Sequence, residues 1–228
     1  MKSVLLMACG GPMQSWGIRS RFEIRDTERE PSKSGIIGLI ASALGRDRKD
    51  SITDLASLRM GVRVDREGIM KKDFQTVQQV AVASGGTPSN QISTRYYLAD
   101  AVFLVGLEGN HELLEEIHHA IKHPKRPIFL GRKSFVPSIP LYLANGLLTD
   151  RTLDVAFQEF PPLVHLFDEI ENKKEKTIEF MRVIIETDEK TYDVRKDQPV
   201  NFDIENRCFR DRYIRIYEVK PRPQGGGE

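Results

Sequence analysis

The chain has 228 residues, of which 39% are hydrophobic and 29% charged, as in soluble globular proteins large enough to bury a core. Its net charge is +1, with 20 Lys and Arg against 16 Asp and Glu in residues 1–150 and 14 against 17 in residues 151–228. This balance excludes a general nucleic-acid coating protein, so any site for an anion has to be local.

The first predicted element is a buried strand over residues 2–9, because a short apolar run ends there at two glycines. The same stretch imitates a lipoprotein signal, but its apolar run, 4–8, is shorter than the ~7–15 residues of a signal core. No segment approaches the ~18 consecutive apolar residues of a membrane span. Cys9 and Cys208 form no metal motif and suit a reducing compartment, so we expect a cytoplasmic protein without a membrane contact.

A glycine-rich loop with the only tryptophan follows this strand. Trp16 stands beside Gln14 and Ser15. The arginines that come after it are Arg19, Arg21 and Arg25. A flexible backbone, an aromatic face, guanidinium groups and the free N–H groups of a helix start can together hold a phosphodiester chain and its bases. In the alternative interpretation, Trp16 fills an edge of the core and the arginines pair with the acidic residues among them.

The next elements alternate between helix and strand. Apolar spacing predicts a helix over 32–44, with Gly45 as its C-cap. A strand with one solvent-exposed face is predicted at 59–65, and a buried strand at 98–107 is followed by a helix over 113–121. Strand, helix, strand, strand, helix is most of a ferredoxin-like βαββαβ unit, so we predict an α+β fold.

Between the two middle strands lies an insertion, residues 73–97, in which Arg95 is the only charge after Asp73. It is β-prone and polar and turns at a Gly-Gly pair, which predicts a long hairpin that leaves the core. Such a hairpin could pack against a partner or enter nucleic acid. A mobile surface loop is the alternative, although a disordered loop would normally carry more charge.

The remaining chain is predicted to be β-rich. Strands are expected at 179–187 and 212–219, with a helical piece near 150–158. Three parts are predicted: a core with the hairpin insertion at 1–145, a smaller C-terminal part packed on it at 146–220, and a disordered tail at 221–228.

Motifs of catalysis and metal binding are scarce. No Walker loop, G-x-S-x-G or H-E-x-x-H occurs in the sequence. His119 and His123 stand four residues apart on a predicted helix, but no nearby third ligand completes a metal site, so we favour a solvated helix face. Gly131, followed by Arg132 and Lys133, is a better anion site, because a glycine allows backbone and side chains to approach a phosphate together. We predict neither a metal nor a cofactor.

Six motifs occur in a fixed order: G-P-M-Q-S-W-G (11–17), S-R-F (20–22), P-S-K-S-G-I-I-G-L-I-A-S-A-L-G-R (31–46), G-V-R-V-D (61–65), R-Y-Y-L-A-D-A (95–101) and L-G-R-K-S (130–134). In this order they resemble the CasD family, the subtype I-E branch of the fifth family of CRISPR-associated proteins. The likeness runs from residue 2 to about residue 143 and continues more loosely to the end.

The resemblance implies a ferredoxin-like (RRM-like) fold of the repeat-associated RNA-binding superfamily, in which residues 73–97 form a β-hairpin thumb. It implies a non-catalytic subunit of Cascade, the RNA-guided complex of antiviral defence that finds invading DNA. Members of this branch hold the 5′ handle of the CRISPR RNA and contact the CasC backbone subunit and the large CasA subunit. Another subunit, CasE, cuts the precursor RNA, and target DNA is reached through the complex.

Carried over position by position, the resemblance also implies an RNA site built from the tryptophan loop, the two ends of the first helix, the base of the thumb and the L-G-R-K-S motif. Its residues would be Gln14, Ser15, Trp16, Arg19, Arg21, Lys33, Ser34, Arg46, Arg95, Tyr96, Arg132 and Lys133.

The competing interpretation is a metal-independent endoribonuclease that processes CRISPR repeat RNA. In the related subtype I-C branch a tyrosine, a lysine and a histidine are the suspected catalytic set. Lys122 and His123 could supply two of these, since acid–base cleavage needs a histidine near pH 7 and a cation on the phosphate. The first tyrosine of this chain is Tyr96, however, so none lies near the end of the first helix, where the cleaving branch has it.

Overall fold

The computed structural model describes residues 2–20, 23–81, 85, 87–164, 166 and 179–220. Arg21 and the tail predicted to be disordered, 221–228, therefore lie outside the described residues. The strands are β1 Lys2–Gly10, β2 Met13–Gln14, β3 Ile24–Arg25, β4 Arg59–Arg66, β5 Ile69–Val80, β6 Ser89–Ala99, β7 Val102–Asn110, β8 Tyr142–Thr149, β9 Met181–Thr187, β10 Val194–Asn201 and β11 Cys208–Val219. The helices are α1 Lys33–Leu44, α2 Thr53–Ala56, α3 His111–Lys122 and α4 Leu153–Glu159.

An antiparallel sheet of seven strands organises the chain, in the order β10-β11-β9-β4-β7-β1-β8. Successive side chains of a strand point to opposite faces, and β1 is buried on both. Leu5 and Met7 pack with α1 and α3 in one apolar cluster. Leu6 packs with Phe157 of α4 in a second cluster on the opposite face. The mixed α and β content confirms the predicted α+β class.

The first helix ends and begins as its sequence predicts. Ile36, Ile37 and Ile40 are buried along one side of α1. Ser32 is the N-cap, with its hydroxyl accepting from the Gly35 N–H, and Gly45 ends the helix with φ +80°. A positive φ at this position favours glycine, because other residues pay a steric cost there.

The strand predicted at 59–65 is present, but its supposed solvent-exposed face is wrong. Arg63 and Asp65 point to the same side of β4 and are both buried, as an ion pair with Nε and Oδ1 2.6 Å apart. The Arg63 guanidinium also donates to the carbonyls of Phe157, Phe160 and Pro161, which end α4. The alternating polar residues of β4 bind a distant segment of the chain and do not face solvent. The alternation alone therefore predicted the wrong environment.

The hairpin predicted in the insertion is present and longer than expected. β5 and β6 pair from Ile69↔Ala99 to Val80↔Ser89, and they form a second sheet with β2 and β3. The strand predicted at 98–107 begins later, because Asp100, with φ +59°, separates β6 from β7. We refer to the pair β5–β6 as the thumb.

Near the C-terminus, β9 and β11 match the predicted strands, and α4 matches the helical piece. β8 and β10 were not predicted. β10 reads V-R-K-D-Q-P-V-N, and its proline and charges are tolerated because it is the edge strand of the sheet. The division proposed between residues 145 and 146 falls within β8, and β9–β11 continue the main sheet. In the part of the chain that the structure describes, no helix is long and apolar enough to cross a membrane.

Candidate nucleic-acid interface

Three arginines meet where the thumb leaves the core, and we call Arg25, Arg95 and Arg132 the thumb-base cluster. Arg25 on β3 is the direct partner of Arg95 on β6, and Asp73 on β5 is the partner of Arg95 on its other side. Directly paired residues project to the same face of a sheet, so these three side chains are neighbours. Arg132 joins them by donating to the carbonyls of Tyr96 (2.8 Å) and Arg25 (3.3 Å).

The electrostatics of this cluster favour an anion. Partial burial lowers the pKa of Arg132, and the positive charges of Arg95 and Arg25 lower it further, whereas Asp73 opposes them. The guanidinium also lies over the Phe135 ring, 5.3 Å from its centroid. Like charges held together by the fold leave a positive potential that a phosphate would neutralise.

Trp16 supports this region from inside the core. The side chain is 1% exposed, and its Nε1 donates to Gln14 Oε1 at 3.1 Å. A Cβ placed on Gly35 would lie 2.9 Å from a ring carbon, so the ring packs directly on the first turn of α1. A base cannot stack on a ring without an exposed face. The ring therefore fills an edge of the core in this structure, as in the alternative interpretation.

Gln14 and Ser15 are also buried and engaged. Gln14 Nε2 donates to the Ala101 carbonyl at 2.8 Å, and the Ser15 N–H donates to the Leu130 carbonyl at 3.1 Å. In this structure both residues hold the loop in place. Gly131 has φ +90°, and a Cβ there would lie 1.7 Å from the Ser15 carbonyl oxygen. Close approach of two loops, and not of a phosphate, requires this glycine.

The start of α1 is likewise occupied by protein groups. Lys33 is 1% exposed, and its Nζ lies 2.8 Å from the Glu186 carboxylate on β9. Its backbone N–H donates to Asp197 on β10 at 2.6 Å. Burial lowers the pKa of Lys33, and Glu186 counteracts this effect. Lys33 is thus buried and paired in this structure, and Ser34 beside it is half-buried.

Arg46 lies at the far end of α1, one 12-residue helix or about 18 Å from Lys33. Its guanidinium forms two hydrogen bonds with the Asp54 carboxylate, at 2.5 and 2.6 Å. The structure therefore separates it from the thumb-base cluster, and the motif that contained both ends of α1 covers two different regions.

The remaining predicted residues do lie around the cluster. Arg95 and Tyr96 are half-buried on β6, and Lys133 is exposed directly after Arg132. Arg19 is exposed in the loop before β3, where its backbone N–H donates to Asp26 at 2.9 Å. The site implied by the family resemblance omits Arg25, although the residue pattern names it among the arginines of the loop. Its place in an arginine run was a usable signal, but its pairing with Arg95 spans 70 residues and could not be read from the chain.

The end of α3, where the competing endoribonuclease interpretation places Lys122 and His123, meets the end of α1. The Lys125 N–H donates to the Ala43 carbonyl at 2.9 Å, and Arg126 donates to the Arg46 carbonyl at 2.7 Å. Both Lys122 and His123 are exposed. Arg46 stands at this junction, bound by Asp54.

Comparisons with known proteins agree on one family. Residues 4–215 match the family described as "CRISPR-associated protein (Cas_Cas5)". The chain is 33% identical over 167 residues to the CRISPR system Cascade subunit CasD of Escherichia coli (strain K12), covering 66% of this chain and 74% of that protein. It is similar to a solved "Cas protein", with 42% identity, a TM-score of 0.75 and coverage of 96% of this chain and 95% of the other. It is also similar to a chain of a "CRISPR RNA-guided surveillance complex", with 32% identity, a TM-score of 0.79 and coverage of 96% and 90%.

Proposed function

The chain belongs to the Cas5 family of CRISPR-associated proteins, and we propose that it is a non-catalytic, RNA-binding subunit of a cytoplasmic Cascade surveillance complex in antiviral defence. The resemblance to the CasD family read from the motifs is confirmed by the matches. Similarity to a Cascade subunit and to a chain of an RNA-guided complex, at 33% and 32% identity, supports membership in such a complex.

We propose further that the chain holds the 5′ handle of the CRISPR RNA at the thumb-base cluster. The observation that carries this proposal is the convergence of three arginines, with Asp73 and Asp26 as the acidic residues among the charges that act on Arg132. Arginine presents a planar set of donors that matches phosphate oxygens. Arg19 and Lys133, both exposed nearby, would extend the contact along the backbone.

A ferredoxin-like core is the finer part of the fold proposal. The strands β8-β1-β7-β4 are antiparallel neighbours, α1 connects β1 with β4, and α3 connects β7 with β8. Two βαβ-type halves with interleaved strands are the arrangement of this fold. The thumb is then an insertion between β4 and β7, and β9–β11 extend one edge.

The thumb offers a surface for the CasC neighbour. Ile24 and Phe74, 58% and 64% exposed, both pair with Thr94 and therefore lie on one face, and Ile92 follows two residues along β6. Exposed apolar residues grouped on one face are typical of a protein interface, and residues 74–94 of the hairpin carry no charge. Val77, which pairs with Gln91, projects to the opposite face, so the apolar residues of the thumb do not form a single surface. We assign the CasA contact to no particular residues.

Co-purification tests the function. A tagged copy expressed with its partner genes is expected to carry a discrete guide RNA and four companion proteins. Phe74→Ser combined with Ile92→Ser is expected to reduce the yield of complete complex, whereas Val77→Ser, on the opposite face, serves as the matched control. Full assembly with the double variant, seen by native mass spectrometry, would contradict the proposed thumb interface.

The endoribonuclease alternative is less favoured. Cleavage through a 2′-hydroxyl needs a base, an acid and charge stabilisation around one phosphate. Arg46, bound by Asp54, stands at the end of α1 where the cleaving branch has a tyrosine. His123→Ala is expected to leave guide-RNA maturation and handle binding unchanged. Loss of repeat-RNA cleavage on that substitution, in a preparation free of CasE, would favour the enzyme.

A further inference from the structure

The segment 28–33 connects the loop of Arg19 and Arg25 with α1, and side chains from the C-terminal strands hold it in place. Glu30 is buried, and its carboxylate accepts a hydrogen bond from Arg195 of β10 at 2.9 Å. Arg182 of β9 approaches the other carboxylate oxygen at 3.4 Å. Two strands that lie about 150 residues later in the chain therefore converge on one acid of this segment.

Two more contacts fix the residues that follow. Asp197 accepts from the Lys33 N–H and is itself bound by Arg212 through two hydrogen bonds, at 2.7 and 3.0 Å. Lys33 Nζ is paired with Glu186. A small cavity of about 10 Å³ is lined in part by Glu30, Arg195 and Asp197.

Glu28 links this network with the loop. Its N–H donates to the Trp16 carbonyl at 3.3 Å. The charges that act on its carboxylate are those of Arg195, Glu30, Arg19 and Asp26. The backbone between the buried Trp16 and the buried Glu30 is thus held at both ends, and Arg19 and Arg25 lie on the span between them.

We propose that Glu30 and Arg195 are positioning residues for the RNA site: they fix the described residues 16–20 and 23–30 so that Arg19 and Arg25 are arranged for a phosphodiester chain before it binds. This inference rests on the proposed RNA-binding function. A loop that is already ordered loses little conformational entropy on binding. Buried ion pairs with defined geometry hold the chain in one register. The C-terminal strands then contribute to RNA affinity without contacting RNA.

Glu30→Gln gives a test in which positioning and simple electrostatics predict opposite changes in RNA affinity. Removing a negative charge near an anion site would strengthen RNA binding if charge alone mattered. Loss of positioning is instead expected to weaken binding of a labelled 5′-handle RNA by about fivefold or more at fixed salt, because the loop must now be ordered on binding. Fluorescence anisotropy of the full chain measures the affinity, with thermal unfolding in parallel.

Asp65→Asn is the matched control, since Asp65 is an equally buried acid paired with an arginine, on the opposite face of the sheet. It is expected to lower the unfolding temperature and leave the RNA affinity within about twofold of wild type. Arg195→Lys, a milder change, is expected to speed hydrogen exchange of residues 16–29 in a folded chain. Unchanged or tighter binding by Glu30→Gln, an equal loss in Asp65→Asn, or unchanged exchange in Arg195→Lys would overturn the proposal. A wild-type chain that binds no handle RNA would instead overturn the proposed function, and this inference with it.

Discussion

Replacing Trp16 by alanine is expected to destabilise the fold, so that the protein unfolds at a lower denaturant concentration. It is not expected to remove an RNA contact. The indole is fully buried, packs on Gly35 and donates to Gln14. Truncating a buried tryptophan costs about 3–5 kcal/mol through lost burial and the cavity left behind. The Gln14 amide oxygen loses its buried partner, which adds about 1 kcal/mol or more. The total, about 4–6 kcal/mol, is a large part of the roughly 5–15 kcal/mol that stabilises a typical domain.

Urea unfolding followed by circular dichroism measures this loss as a lower midpoint. Tyr192→Ala is the matched control, because that aromatic ring is fully exposed and its removal is expected to change stability by about 0.5 kcal/mol or less. Trp16 is the only tryptophan, so its fluorescence reports on this residue alone, and handle RNA is expected to leave its emission unchanged. A Trp16→Ala chain with the wild-type midpoint but without RNA affinity, or strong quenching on RNA addition, would refute this reasoning.

Three further outcomes are expected. Arg25→Gln with Arg95→Gln should weaken handle binding by about 1–3 kcal/mol per lost charged contact and flatten its salt dependence, with little change in the urea midpoint. Arg63→Met should cost about 3–5 kcal/mol of unfolding free energy, because it leaves Asp65 buried and unpaired, while RNA affinity measured on the folded chain stays the same. Burial raises the pKa of Glu28 in the folded state above its ordinary 4.5, so folding favours the neutral carboxyl group. Protonated Glu28 therefore adds to the free energy of unfolding. This contribution is complete below pH 4.5 and is lost as the pH rises through the folded-state pKa. Glu28→Gln should therefore raise the unfolding temperature at pH 7, and this gain should vanish below pH 4.5; a gain independent of pH would contradict it.

Local sequence patterns predicted the helices and strands that lie in a single kind of environment. β1 is apolar on both faces because helices cover both, and α1 shows its buried side in the spacing of Ile36, Ile37 and Ile40. The thumb was recognisable because residues 74–94 carry no charge and contain a Gly-Gly pair. Each of these signals lies within about twenty consecutive residues.

Features that depend on distant partners could not be predicted in the same way. Lys33 looks like a cation at a helix start, and only the fold brings Glu186, 153 residues later, onto it. Arg63 and Asp65 look like an exposed strand face until residues 157–163 cover them. β10 contains a proline and charges, and its role as an edge strand with two structural ion pairs has no local signature.

The candidate site combines two kinds of residue that the motifs do not separate. The motifs around Trp16 and Gly131 do meet at the thumb base, yet they combine residues that build the loop with residues that face solvent. Gln14, Trp16 and Lys33 belong to the first group, whereas Arg95 and Lys133 lie at the surface or partly so. A motif records that residues are needed together, and it does not distinguish support from contact.

Cross-linking of handle RNA is the most direct test of the claim that the thumb-base cluster holds the 5′ end. RNA with 4-thiouridine in the handle would be bound to the full chain, irradiated and digested, and the modified peptides identified by mass spectrometry. The account predicts cross-links in peptides containing residues 19–25, 95–96 and 132–133. Cross-links confined to the ends of α1 and α3, around Arg46 and His123, would contradict it.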